Sequence, residues 1–171
     1  ENFEYDLIVL GAGSGGVRAS RIASSYGAKV AVIEEDRPGG TCVLRGCIPK
    51  KLMVYGSEFK KQVNDAKEYG WKVKNLEHDW DVLNASIEKE LDRLAGIYIN
   101  ILKNSGCRVI IGKAHFISPS EIKVNNEILT GKKILIATGG LPYLPDIDGL
   151  KENAITSNEA LKLHTLPKSI A

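Results

Sequence analysis

Two cysteines stand at a spacing that suits reversible redox chemistry. Cys42 and Cys47 form a C-x4-C pair inside Gly39-Gly40-Thr41-Cys42-Val43-Leu44-Arg45-Gly46-Cys47-Ile48-Pro49-Lys50-Lys51. This is not the C-x-x-C of zinc ribbons or thioredoxin-like motifs, and one pair with no histidine nearby cannot complete a structural zinc site. A reversible disulfide is the better reading. The pair opens an expected helix running from near Cys42 to about Ala66, and Arg45, Lys50 and Lys51 add positive charge. A helix N-terminus and neighbouring cations both favour thiolate, the species that attacks a disulfide.

A second group of residues could hold a dinucleotide. Gly11-Ala12-Gly13-Ser14-Gly15-Gly16 fits G-x-G-x-x-G. The pattern is weak alone, but here it follows a strand and opens a helix, the context that gives it meaning. Gly11 permits the tight turn, Gly13 lets backbone approach a pyrophosphate, and Gly16 lets the helix pack on the strand. The helix N-terminus, at Ser14 and Gly15, then offers N–H groups and a positive dipole end to the anion. Glu34 ends the next strand, where its carboxylate can accept from ribose hydroxyls and would repel a 2′-phosphate, so NADP is disfavoured at this loop.

The elements that must position these residues are readable from periodicity. Asp6–Leu10 and Lys29–Ile33 are short apolar runs of buried-strand type, and Ser14–Tyr26 between them has helical spacing. Strand, helix, strand makes a βαβ unit with parallel strands. Asp79 is placed to cap a long helix whose apolar face is Leu83, Ile87, Leu91, Leu94, Tyr98 and Leu102. Four strands follow: 108–112, then 114–117, 121–124 and 128–130 as a three-stranded antiparallel meander. Lys133–Ala137 reads as another buried strand, and a short helix near 157–163 would be capped by Ser157 or Asn158. The fold class is therefore α/β, a parallel sheet with helices and a β-meander.

Composition excludes several classes. The 171 residues hold 23 basic and 21 acidic side chains, a net charge of +2, which gives no global case for a nucleic-acid or membrane-surface partner. No apolar run reaches the length of a membrane span. Three cysteines are too few for a secreted disulfide scaffold, which points to a cytoplasmic protein. No metal site is expected, since His78, His115 and His164 share no ligand spacing; Cys107 reads as a packed thiol, Trp71 and Trp80 as packing residues.

The cysteine segment, its place after the first βαβ unit, Gly112-Lys113-Ala114-His115-Phe116 and Ala137-Thr138-Gly139-Gly140 together resemble the glutathione reductase branch of the pyridine-nucleotide disulfide oxidoreductases. The resemblance runs over essentially the whole chain. It implies a Rossmann-like three-layer ββα fold of the FAD/NAD(P)-binding kind. Residues 1–150 would form an FAD-binding domain with the redox-active disulfide, and 151–171 a connector toward an NADPH-binding domain beyond it.

The same resemblance implies residue roles. NADPH would reduce FAD, and FAD the disulfide. Cys47 would lie against the flavin, Cys42 would attack the substrate disulfide, and Lys50, with Lys51 as fallback, would sit near the flavin. Gly40, Thr41, Ala114, Ala137, Thr138 and Gly139 would join the glycine loop and Glu34 in holding FAD. Oxidised glutathione would be the substrate, met by Ser14, Arg21 and Tyr98, and the full-length enzyme would be a homodimer. Arg18 departs from the small residue found there in some glutathione reductases, whereas trypanothione reductases carry an acid; sharing a helix face with Arg21, it would favour carboxylates and repel a polyamine. Trypanothione, thioredoxin and mercuric reductases are the alternatives within the family. A non-catalytic nucleotide-binding redox sensor is the alternative outside it.

Overall fold

Strand β1 (Tyr5–Leu10) is apolar on both sides because both faces of its sheet are covered. The structure, a computed structural model, describes residues 2–171. β1 lies parallel to β2 (Val30–Glu34) on one side and β6 (Glu127–Ile136) on the other, and β3 (Arg108–Ile111) runs parallel to β2. β4 (Ala114–Ser118) and β5 (Glu121–Val124) are antiparallel, and β5 is antiparallel to the start of β6. The order is β3-β2-β1-β6-β5-β4. This is the Rossmann-like α/β arrangement expected, with its meander.

The chain divides into two compact units, Glu1–Leu44 with Asp92–Leu141 and Arg45–Leu91 with Pro142–Ala171. In the first, side-chain alternation sorts the sheet's residues into two cores. Ile8, Leu10, Ala31, Ile33 and Ile110 pack against Ile122, Val124 and Leu129 of the meander. Val9, Val30 and Val32 face the other way, toward Val17 of α1 (Ser14–Ser25) and Leu102 of α4 (Trp80–Asn104). Meander, parallel sheet and helices are the three layers. Each such aliphatic side chain contributes about 1.5–3 kcal/mol when fully buried. Arg108 ties the edge strand to β1 and β6, donating to the Tyr5 hydroxyl at 3.0 Å and to Glu127 at 2.6 Å.

One expected break and one expected continuity are corrected. Residues 128–130 and 133–137 are expected as separate strands, but β6 runs unbroken from Glu127 to Ile136. Gly131 is buried, and a Cβ there would sit 2.8 Å from Ile8, so the glycine marks a close approach rather than a turn. The later half of β6 is also less buried than expected, with Ile136 64% exposed. Of β6, β5 pairs only with residues 127–130, so the later half has β1 beside it but not β5.

The expected helix from Cys42 to Ala66 is two helices, α2 (Gly40–Arg45) and α3 (Cys47–Ala66), parted at Gly46. Pro49 explains the break. It has no N–H to give Arg45 and would crowd that carbonyl inside a continuous helix, whereas the first turn of a new helix tolerates it.

In the second unit, Asp79 caps α4 as expected, accepting from Asp81 N at 2.9 Å and Val82 N at 3.1 Å. Ile87 and Leu91 of the expected apolar face are buried and Leu83 is half-buried. Trp80 and Asn84 both donate to the Leu163 carbonyl, at 2.9 and 3.0 Å. Trp71 is not the packing residue expected; it lies 71% exposed beyond the 3-10 turn at Lys67–Tyr69. Of the two short helices, α5 (Leu150–Asn153) and α6 (Ser157–Ala160), the second is capped by Thr156 rather than Ser157 or Asn158, in a reciprocal box with Glu159. Among the described residues no helix is long and apolar enough to cross a membrane.

The layer assignment sets a stability contrast. Ile122→Ala, at a fully buried meander position, should cost about 2–5 kcal/mol by urea denaturation. Ile128→Ala, on the next strand but 58% exposed, should stay within about 0.5 kcal/mol.

Candidate functional site

The β1–α1 loop is shaped by contacts that leave no room for side chains. Gly11 has φ +105°, and a Cβ on it would strike the Ala137 carbonyl and crowd Thr138 N at 3.2 Å. A Cβ on Gly16 would strike the Gly11 carbonyl. Gly13 is the N-cap of α1 and offers no side-chain cap, and the first turn holds no acid. The N–H groups at Ser14 and Gly15 thus face outward from an uncapped, positively polarised helix end. Arrangement and composition suit a diphosphate.

Glu34 closes the loop from the β2 side. Its Oε2 accepts from Ala12 N at 2.7 Å, and its Oε1 from Asp36 N at 3.1 Å. A carboxylate has about four acceptor positions, so capacity for two hydroxyls remains. The Ala12 carbonyl in turn accepts from Gly39 N at 2.9 Å. Beyond Gly39, Gly40 takes φ +67° and lies against Gly13; a Cβ at Gly40 would be 2.6 Å from Gly13 Cα. The glycine loop and the start of the cysteine segment are therefore in backbone contact. These observations fit the adenosine diphosphate half of FAD.

The sequence-identified residues fall as follows. Gly11, Gly13, Ser14, Gly15, Gly16, Glu34, Gly40, Thr41, Cys42, Ala137, Thr138 and Gly139 all belong to the first unit, as do Ala114, Arg18, Arg21 and Tyr98. Gly11 meets Ala137 and Thr138, and Gly13 meets Gly40, so three segments distant in sequence converge. Cys42 and Thr41 are exposed on α2. Cys47 and Lys50 belong to the second unit, both exposed in the first turn of α3. Lys51 Nζ lies 5.6 Å from the Tyr55 ring centroid, an engagement Lys50 does not share. Arg18 and Arg21 are exposed and line one open depression of about 320 Å³ with Ile22, Ser25 and Ser105. Tyr98 is half-buried against the helix-side core, a packing role as well as any other. Among the described residues no His/Cys/Asp/Glu group could hold a metal.

Sequence reasoning missed Ala12 and Gly39. Ala12 is buried, and its peptide is held at both ends; nothing in a lone alanine signals that. The Gly39-Gly40 doublet was readable as a loop but not as a contact.

The sequence pattern of the family described as "Pyridine nucleotide-disulphide oxidoreductase" matches residues 5–171. The chain belongs to this family. Glutathione reductase of Nostoc sp. (strain PCC 7120 / SAG 25.82 / UTEX 2576) is 50% identical over 99% of the chain and 37% of its own length. The chloroplastic/mitochondrial glutathione reductase of Pisum sativum is 44% identical over 99% of the chain and 32% of its own. Thioredoxin reductase of Plasmodium falciparum (isolate FCH-5) is 37% identical over 96% of the chain and 34% of its own. The chain spans about a third of the length of these curated relatives. The resemblance to the glutathione reductase branch is borne out. Oxidoreductases of this family use FAD with a pyridine nucleotide.

The third cysteine behaves as expected of a packed thiol. Cys107 is buried beside α1, its Sγ 3.6 Å from the Ser20 carbonyl, and burial pushes the thiol up against a smaller opposing pull from Ser24. The folded chain then keeps this proton where the unfolded chain loses it, so its contribution to stability fades as pH rises past the ordinary thiol range. Iodoacetamide at mildly alkaline pH should label Cys42 and Cys47 in the reduced protein and spare Cys107 until denaturant is added, as read by peptide mass spectrometry.

Proposed function

We propose that the chain is the FAD-binding part of an NADPH-dependent glutathione reductase, with Cys42 and Cys47 as the redox dithiol. In this reading residues 1–150 are the FAD-binding domain and 151–171 lead toward the NADPH-binding domain. The full-length enzyme is a cytoplasmic homodimer. The observation that supports the reading most is the Gly13–Gly40 backbone contact, which sets the start of the Cys42 helix on the dinucleotide loop.

Gly11, Gly13, Ser14, Gly15 and Gly16 hold the diphosphate through backbone. Glu34 would accept from the ribose, Ala114 would lie by the adenine, and Gly40, Thr41, Ala137, Thr138, Gly139 and Lys50 would hold the rest of the cofactor. FAD held there would supply the two electrons, drawn from NADPH, needed to open the Cys42–Cys47 disulfide. The Cys42 thiolate then attacks one sulfur of the substrate disulfide. A mixed disulfide forms, and one thiolate leaves and takes a proton. The Cys47 thiolate attacks the Cys42 sulfur, re-forms the internal disulfide and releases the second thiol. Ser14, Arg21 and Tyr98 hold the substrate, and Arg18 adds a second cation beside Arg21. Guanidinium forks suit the carboxylates of oxidised glutathione. The thioredoxin reductase relative marks the alternative, at lower identity.

Trapping separates the roles of the cysteines. In the reduced full-length enzyme, Cys47→Ser should accumulate a mixed disulfide on Cys42 when given oxidised glutathione, and Cys42→Ser should not; intact mass reads the adduct. The reverse pattern would exchange the two roles.

Arg21→Glu in the full-length enzyme should lower kcat/KM for oxidised glutathione by about 10- to 100-fold, the loss of charge-assisted hydrogen bonds of about 1.5–3 kcal/mol. The Arg18→Glu/Arg21→Glu double variant should gain some activity with trypanothione disulfide. Kinetics indifferent to both changes would leave the disulfide substrate unassigned.

A further inference from the structure

We infer that Asn125 is a positioning residue for the adenosine end of the cofactor site. The inference rests on the FAD reading above and concerns a residue in the β5–β6 turn, far in sequence from the glycine loop.

Asn125 takes a left-handed backbone conformation, φ +52°, which brings its side chain back over the end of β3. Its Nδ2 donates to the Ile111 carbonyl at 3.1 Å. The next residue, Gly112, has no room for a side chain: a Cβ there would collide with the Asn125 amide. The same Gly112 donates its N–H to the Glu34 carbonyl at 2.8 Å. Glu34 is the residue whose carboxylate holds Ala12 N. On the other side of Gly112 the chain passes through Lys113 into Ala114, which is paired with Val124, the residue before Asn125.

One exposed amide thus pins the link between β3 and β4. That link carries both adenosine contacts of the FAD reading, since Glu34 hangs from it by a main-chain hydrogen bond and Ala114 is its far end. Asparagine suits the position twice over. It tolerates the left-handed backbone better than most residues, and its amide supplies the donor. Glycine would keep the backbone and lose the donor. Asn125 touches no reacting atom; it acts on the cofactor through the main chain of residues 111–114.

The test uses the full-length flavoenzyme, its FAD dissociation constant read from the recovery of flavin fluorescence on release. N125G should raise that constant by about threefold to tenfold, the range of one hydrogen bond. It should leave the urea midpoint of the apoprotein and the KM for oxidised glutathione near their starting values. G112A should weaken FAD more than N125G, because the added Cβ must displace the amide. Combining N125G with G112A opens the space again, so the double variant should bind FAD within about twofold of N125G alone.

A dissociation constant for N125G equal to that of the parent overturns the inference. So do multiplicative effects of G112A and N125G, or a loss confined to apoprotein stability. E34A serves as the control on the underlying reading. If E34A weakens FAD while N125G does not, only the role of Asn125 falls. If E34A has no effect, the placement of FAD falls with it.

Discussion

The backbone of Ala12 is gripped from two directions, and the site is arranged around that grip. Its N–H is spent on the Glu34 carboxylate and its C=O on the Gly39 N–H. The first bond fixes the glycine loop to the end of β2. The second fixes the same loop to the segment that becomes α2 and carries Cys42. Hydrogen bonds to an ionised acceptor contribute about 1.5–3 kcal/mol, so the Glu34 bond is the stronger of the two. A loop held this firmly needs no rearrangement to receive an anion, which is the condition under which backbone N–H groups bind well.

The close glycine contacts follow from this arrangement rather than from local flexibility. Once the loop is fixed, the strand ends at Ala137 and the chain at Gly40 must pass within reach of main chain. Only residues without a Cβ allow that. Three segments separated by long stretches of sequence are thereby forced to share one small volume, and the glycine pattern records the crowding.

Much of this was legible in the amino-acid sequence. The strand–glycine loop–helix context, Glu34 at a strand end and the C-x4-C segment are local patterns, and local patterns survive without the fold. The long helix was equally plain, since Asp79 and six apolar positions at helical spacing all act within one element. What escaped depends on partners distant in sequence. The strand seemed to stop before Gly131 because nothing nearby in sequence shows Ile8 lying against that glycine. The break at Gly46 was signalled by Pro49, but the apolar and basic residues around it hid the signal. Trp71 reads as core by type, yet it stands largely exposed. The meander implies a turn between residues 124 and 128 but is silent about the strand end that Asn125 touches.

Strand β6 belongs to both the parallel sheet and the meander, and this has a consequence for how the chain is made. β1 emerges early and pairs with β2 soon after, but its other edge has no occupant until residues 131–136 have been synthesised. At roughly 5–20 residues per second, the interval is on the order of ten seconds. Until then the edge of β1 that β6 will occupy would leave its backbone N–H and C=O groups unpaired, the kind of edge that can pair with a neighbouring chain.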